Sequence, residues 1–431
     1  MIYHIDRDIP VAEEVEVLVT GGGPGGVCAA TMAARQGAKV CLAERYGCVG
    51  GMAVFGEVSP FMGNHSHGET MDRPLFVDWC RQMWQYRSPG MKKKFPFNEK
   101  VAAGILAKDE AMLAMEDLLL DAGVEILYHH FLVDVIKENG KITAAIFATK
   151  SGLVAVKAKV FVDSTGDGDL AALAGCPFDF GNSDNYAQPM STCFKLFGVD
   201  RSRIPDKAEI TRLYEQAKAD GIINCPRENV LFFTSLEDDV IHFNTTRVVK
   251  KSAVDARELS EAEIESRRQI REIINFMRKY VPGFENAGIR SIAHQVGVRE
   301  SRRIRGIVSQ TVEDFRAAAK YDDGVARVNY MIDIHNPAGT GTTICRMEPD
   351  DWYELRYGTL VPQNCNNLLI GCRAISADHA LHSSTRIMPV VSSIGQAAGM
   401  AAALALKLNC DPPDLDGKIV REALKNAGAA L

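Results

Sequence analysis

Residues 15–45 constrain the fold more than any other part of the chain. An apolar strand, Val17-Leu18-Val19, runs into Gly21-Gly22-Gly23-Pro24-Gly25-Gly26. A helix rich in Ala29, Ala30, Ala33 and Ala34 follows, then a second strand that ends at Glu44. This order is a complete βαβ dinucleotide-binding fingerprint rather than an isolated glycine pattern. Gly21 permits the tight strand-to-helix turn, Gly23 lets backbone N–H groups approach a pyrophosphate, and Gly26 lets helix and strand pack closely. The helix N-terminus then faces the phosphates with its partial positive charge. Glu44, about 20 residues beyond the glycines, is placed to accept hydrogen bonds from ribose hydroxyls. A carboxylate at that point repels a 2′-phosphate and disfavours NADP.

The rest of the composition bounds the answer without choosing it. A chain of 431 residues predicts two domains, or one domain with a substantial insertion. Its net charge of -6 argues against a nucleic-acid partner, which needs a basic footprint. No run of about 18 apolar residues stands out as a membrane span, and residues 1–8 carry charges without an apolar leader core. The 11 cysteines include no C-x-x-C pair and no zinc spacing. They are expected to be free thiols packed as small hydrophobes, in a cytoplasmic protein.

Along the chain, residues 72–86 predict a helix and Lys92-Lys93-Lys94 a basic loop between Pro89 and Pro96. Residues 109–122 predict an amphipathic helix closed by Gly123, and strands are expected over 125–128, 141–149 and 153–159. The apolar run Val160-Phe161-Val162 then enters Asp163-Ser164-Thr165-Gly166-Asp167-Gly168-Asp169, a second strand-to-glycine turn. Further on, Ser260 and Glu263 read as a capping box for a helix whose apolar stripe is Ile270, Ile273, Ile274 and Met277. Pro282-Gly283 stops it. The tail returns to nucleotide-domain grammar: a strand over 367–370 ends at Gly371, and an Ala-rich helix over 394–407 takes Ser392 or Ser393 as its cap. The division expected is 1–185 and 339–431 for a nucleotide-binding domain, and 186–338 for an inserted substrate or cap domain.

An NAD domain supplies two consecutive βαβ halves. Here one fingerprint is followed by a β-meander, a Thr-Gly turn and a distant strand and helix, and three separated segments converging on one long cofactor suit FAD better. On these residues, together with Gly50-Gly51, Gly297-Val298-Arg299-Glu300-Ser301-Arg302-Arg303, Asp333-Ile334-His335-Asn336-Pro337 and the tail from Asn367 through Arg373 to Gly395-Gln396-Ala397-Ala398-Gly399, the chain resembles the FAD-dependent oxidoreductase family with the glutathione-reductase-type nucleotide fold. The resemblance implies an α/β architecture: a Rossmann-like FAD-binding domain with an inserted α+β substrate or cap domain. It also implies FAD contacts from Gly21, Gly23, Pro24, Gly25 and Gly26. Glu44 and Arg45 would hold the adenosine ribose, and Gly50, Gly51 and Met52 would pass close to the flavin or pyrophosphate. Thr165, Gly166 and Asp167 would touch the cofactor, Gly371 would abut the flavin-bearing chain, and the helix beginning near Ile394 would aim its dipole at the flavin's pyrimidine edge.

Flavin enzymes that oxidise alcohols or amines need a group to take the accompanying proton. His379 is the leading acid/base candidate, because it lies between the C-terminal strand and the helix expected at the flavin. Arg386, in the same loop, and His335, at the end of an apolar strand, are the other catalytic candidates. His65, His67 and Arg299 are expected at the substrate. An H-x-H pair alone is too few ligands for a metal, and none is expected. The function anticipated is hydride transfer between flavin N5 and a small polar organic substrate, at a C–OH or C–N centre. The alternatives are a flavin-dependent ene-reductase, a monooxygenase, or a non-catalytic flavin-binding protein. No second G-x-G-x-x-G supplies a nicotinamide site, so the electron acceptor is left open, and a homodimer is the expected assembly.

Overall fold

The computed structural model describes residues 3–4, 6–102 and 106–431. Met1, Ile2 and Ile5, which belong to the segment read above as lacking a leader, lie outside the described residues, as do 103–105. The first part of the chain forms β1 (Val11–Thr20), α1 (Pro24–Arg35), β2 (Val40–Ala43), α2 (Leu75–Gln85) and α3 (Lys108–Asp121), then β3 (Glu125–Leu127), β4 (Phe131–Glu138), β5 (Lys141–Thr149) and β6 (Gly152–Asp163). The middle holds β7 (Phe194–Phe197), α4 (Lys207–Ala219), β8 (Phe232–Thr234), β9 (Ile241–Phe243), α5 (Ala256–Tyr280) and β10 (Gly288–Ile292). After β11 (Ile332–His335) and β12 (Thr342–Cys345), the tail supplies β13 (Leu368–Ile370), α6 (His379–Thr385) and α7 (Met388–Leu408).

The main sheet runs β3-β2-β1-β6 in parallel and then forks. The start of β6 pairs antiparallel with β5, from Thr149↔Gly152 to Ala145↔Val156, and β5 continues the meander to β4. The end of β6 pairs parallel with the tail, Phe161↔Leu368 through Asp163↔Ile370. This is the α/β fold with a mixed, largely parallel sheet expected of a Rossmann-like FAD-binding domain. Val17, Leu18 and Val19 are fully buried in it.

Small residues set how closely the helices approach that sheet. A side chain at Gly395 would strike the Gly25 backbone, and one at Gly399 the Ala29 backbone, so α1 and α7 lie against each other with nothing between them. Helix α7 is long and apolar enough, by length and composition, to cross a bilayer, which corrects the expectation that no such run exists. Its apolarity serves the interior, since 89% of the relevant window is buried. A helix that is apolar on all sides is buried on all sides, here between α1 and the sheet.

A second core lies between the antiparallel sheet β8-β9-β7-β10 and helices α4 and α5. Phe194 and Phe243 stack at its centre, with ring centroids 4.7 Å apart. The stripe Ile270, Ile273, Ile274 and Met277 is buried against them, each side chain contributing roughly 1.5–3 kcal/mol by leaving water. The opposite face of α5 carries the Arg268–Glu265 pair.

Four local expectations are corrected. Helix α5 starts at Ala256, because the Asp255 carboxylate accepts from the Arg257 and Glu258 amides at 3.0 and 2.9 Å. Ser260 is therefore inside the helix and donates to the Ala256 carbonyl at 2.7 Å. The basic segment is a short helix, Pro89–Lys94, capped by Ser88 through the Met91 amide. Strand β4 was not anticipated. Helix α7 begins at Met388, not near Ile394, with Pro389 in its first turn. Ser392 and Ser393 are not its caps: Ser392 donates to the Met388 carbonyl and Ser393 to the Asp72 carboxylate.

Candidate functional site

The turns at the C-terminal ends of β1 and β6 open into a cavity of about 540 Å³. Gly21, Gly23, Pro24, Gly25, Glu44, Arg45, Gly51, Met52, Thr165, Gly166 and Asp167 all line it. Gly21 has φ +95°, and a side chain there would strike the Ser164 carbonyl; the turn admits glycine alone. At Gly23 the nearest atom to an added Cβ is the Gly51 Cα at 3.7 Å, so this position is left open within the protein.

Glu44 is almost fully buried, and burial pushes its carboxyl pKa up. Its Oε2 accepts from the Gly22 amide at 2.6 Å and its Oε1 from the Tyr46 amide at 3.0 Å, which fixes the carboxylate at the cavity wall. The Arg45 guanidinium lies over the Tyr46 ring, 4.7 Å from its centroid, and the Tyr46 hydroxyl meets Gln295, in the loop after β10. The second glycine turn is built around Asp163. Its carboxylate accepts from the Thr165 hydroxyl at 2.7 Å and the Ala171 amide at 2.9 Å, and burial pushes its pKa up to about 6. Asp167 accepts from the Ser301 hydroxyl and the Arg373 guanidinium, both at 2.6 Å.

A second cavity of about 530 Å³ adjoins the first, and both are lined by Met52, Val298, Arg373, Arg386 and Met388. Arg386 donates to the Asp333 carbonyl at 3.2 Å. The Nε atoms of Arg373 and Arg386 are buried without an acceptor in the protein. Helix α7 starts at this junction, with Met388 in the position where Ile394 was expected. Ile394 lies about a turn and a half further on, in the core.

His335 lines the second cavity. Its Nδ1 lies 3.3 Å from Arg247 Nη2 and 3.4 Å from the Thr342 hydroxyl, and its Nε2 lies 3.6 Å from an Asp333 oxygen. Burial, and then the guanidinium groups of Arg299, Arg386, Arg227 and Arg247, hold its pKa far below the ordinary histidine value. Arg299 lines the same cavity and donates to the Pro189 carbonyl at 2.6 Å.

Several expected residues lie elsewhere. His379 lines neither cavity: its Nδ1 is 2.9 Å from a Glu300 oxygen, at the start of α6, within the Glu300–Arg303 ion pair. His65 is held by the Val101 carbonyl at 2.9 Å, and His67 is exposed, its amide donating to Asp350. Neither lines the two cavities. Gly26, Gly50 and Gly371 shape the wall without lining it. Side chains at Gly26 and Gly50 would strike the Gly21 carbonyl and Val54, and the Gly371 carbonyl leaves no room for one at Gly25. The residues not anticipated are Tyr46, Gln295, Arg373, Met388 and, in the second cavity, Arg227, Tyr330 and Asp333 as a group. Of these, Arg373 just after the Gly371 turn, Met388 in Met388-Pro389 and Asp333 in the Asp333-Ile334-His335-Asn336-Pro337 segment had a sequence signal.

This site suits an extended dinucleotide with an electron-rich end. Glu44 offers a fixed carboxylate at one end, Gly23 an open backbone in the middle, and two guanidinium groups with orphaned buried Nε atoms stand at the other. That combination of fold and cleft defines a flavin-binding oxidoreductase. The chain belongs to the FAD-dependent oxidoreductase family, whose model, described as FAD dependent oxidoreductase, matches residues 16–424, and its cofactor is FAD. It is similar to the digeranylgeranylglycerophospholipid reductase of Thermoplasma acidophilum, 29% identical over 159 residues, which is 36% of this chain and 40% of that protein. The match thus spans about two-fifths of the length of that curated relative. Among solved structures it is similar to a geranylgeranyl bacteriochlorophyll reductase-like protein of the same organism, with 14% identity, TM-score 0.48, and coverage of 96% of this chain and 84% of that one. It is also similar to the flavin-dependent brominase Bmp2, with 14% identity, TM-score 0.47, and coverage of 96% and 83%.

Proposed function

We propose that the protein is a dehydrogenase that exchanges a hydride with a small polar organic substrate at a C–OH or C–N centre. In this reading 1–185 and 339–431 make a glutathione-reductase-type FAD-binding domain, and 186–338 an inserted α+β cap over the substrate. Bound FAD supplies the hydride exchange at its flavin ring. The observation that carries the proposal is the meeting of the two cavities at Arg373, Arg386 and Met388, which gives cofactor and substrate separate chambers with one common wall.

The chain's own residues divide the remaining work. Arg373 and Arg386 put positive charge at the junction, and the start of α7 adds the partial positive charge of its free amides. His335 stays neutral, and because Arg247 can only donate, His335 Nδ1 is the acceptor and Nε2 carries the proton. It therefore offers the substrate a donor, not a base. Proton acceptance falls to Asp333, which lies 3.3 Å from the Tyr330 hydroxyl and 3.5 Å from Arg386 Nη2. An unidentified diffusible or protein acceptor completes turnover.

The test is anaerobic mixing of FAD-loaded protein with a panel of alcohols and amines, followed by the visible flavin band. Bleaching by at least one of them is expected. Asp333→Asn should keep the flavin but slow bleaching on the order of 10²- to 10⁴-fold. Protein that stays colourless after reconstitution with FAD, or bleaching that Asp333→Asn leaves untouched, would count against the scheme. Transfer of oxygen to the product under air would assign a monooxygenase instead.

A further inference from the structure

Resting on that reading, we infer that the second cavity takes an organic carboxylate as its substrate. The cavity wall carries Arg227, Arg299, Arg373, Arg386 and the solvent-exposed Lys207 against Glu228 and Asp333. Arg373 is paired with Asp167 at 2.6 Å, Arg247 behind His335 with Glu228 at 3.1 Å, and Arg386 with Asp333 at 3.5 Å. Arg227 and Arg299 line the same cavity, and neither has a carboxylate at ion-pair distance among the described residues. Arg227 is only 5% exposed, and its Nε is buried with no acceptor. Among the described residues Arg299 has one hydrogen-bond acceptor, the Pro189 carbonyl, for its five N–H groups.

Burying an unpaired guanidinium costs free energy unless something that enters the cavity compensates it. The neighbouring cations make the cost visible: burial first, then Arg386 and Arg227, push the Arg299 pKa down to about 9. Two uncompensated planar forks match the two oxygens of a carboxylate. Glu228 and Asp333 on the same wall disfavour a dianionic phosphate. Leu231, Phe233, Met331 and Ile344 give the wall an apolar stretch for a hydrocarbon body, beside polar Ser191, Asn229 and Asn244.

Calorimetric titration of the FAD-loaded protein, at constant ionic strength, tests this with formate, acetate and succinate against the neutral acetamide and succinamide, and with inorganic phosphate. At least one carboxylate should bind saturably, its amide should bind at least tenfold more weakly, and phosphate should bind less well than the best carboxylate. Arg227→Met and Arg299→Met should each weaken that carboxylate at least tenfold, while Arg227→Lys keeps part of the affinity. No binding by any carboxylate, equal binding of the amides, tighter binding of phosphate, or indifference to both Met substitutions overturns the inference. The comparison of acids with amides on the unsubstituted protein stands even if a variant fails to fold. Heat of binding does not depend on flavin reduction. Protein that refuses FAD yet binds acetate would sink the dehydrogenase reading alone, and FAD-loaded protein indifferent to carboxylates would sink this one alone.

Discussion

Single residues in this protein separate holding the fold from holding the ligand. Gly23 is the clearest case. An alanine there meets nothing closer than the Gly51 Cα at 3.7 Å, and its φ of -75° suits any residue. Gly23→Ala is therefore expected to cost no more than about 1 kcal/mol of stability, the range of a weakened helix cap. FAD affinity should fall at least tenfold in fluorescence-quenching titrations, because the Cβ enters the space left for the pyrophosphate. Asp72 does the converse. It is fully buried, bonded to Ser393 and Asn64, and burial pushes its pKa from 3.8 to about 7. Between those values the folded state keeps a proton that the unfolded chain has released. The contribution is thus fully present below about pH 4 and is lost as pH rises to about 7, at up to roughly 1.4 kcal/mol per unit. Urea midpoints across that interval should reveal the slope, and Asp72→Asn should flatten it.

At the level of elements, what could be read from the sequence was what local chemistry decides. Helix α1 and its glycine turn, the stripe of α5 and the strand before Gly371 are each written in consecutive residues. Strand β4 was missed because it lies at the sheet's edge, where Phe131, Val133 and Ile136 face solvent beside charged neighbours and blur the alternation. The start of α7 was misplaced because serines that resemble caps are engaged elsewhere, one of them by Asp72, which is 321 positions distant. The arginines of the second cavity come from four separate places in the chain and converge only in three dimensions. His379 looked catalytic because it follows the right strand, but it turns toward Glu300. The α1–α7 contact makes its own prediction: Gly399→Val should lower stability by at least about 2 kcal/mol, since the clash is with the rigid Ala29 backbone. Chemical denaturation measures it, and an unchanged midpoint would mean the helices are further apart.

Over the whole molecule, the first cavity lies between the glycine turns of the main sheet and the first turns of α5. Ala253, Val254, Leu259, Ser260 and Glu263 face it from the start of α5 and the loop before it, where Ala253 and Leu259 pack in a small separate cluster with Val248, Ala262 and Val296, and the Tyr46–Gln295 contact ties the two sides. FAD should therefore slow hydrogen exchange in 253–263 and 295–298 as well as in 21–25. Mass-spectrometric exchange with and without FAD reads this directly, and protection confined to 21–25 would leave the start of α5 out of the site. The forked strand β6 has a consequence for the newborn polypeptide. Translation at about 5–20 residues per second delivers β13 roughly ten to forty seconds after β6. Throughout that interval Phe161 and Val162 lie at a bare, sticky flank with no neighbour to zip onto. A ribosome that stalls before Leu368 releases a sheet missing its last parallel partner, and such fragments are expected to be prime clients for chaperones and proteases.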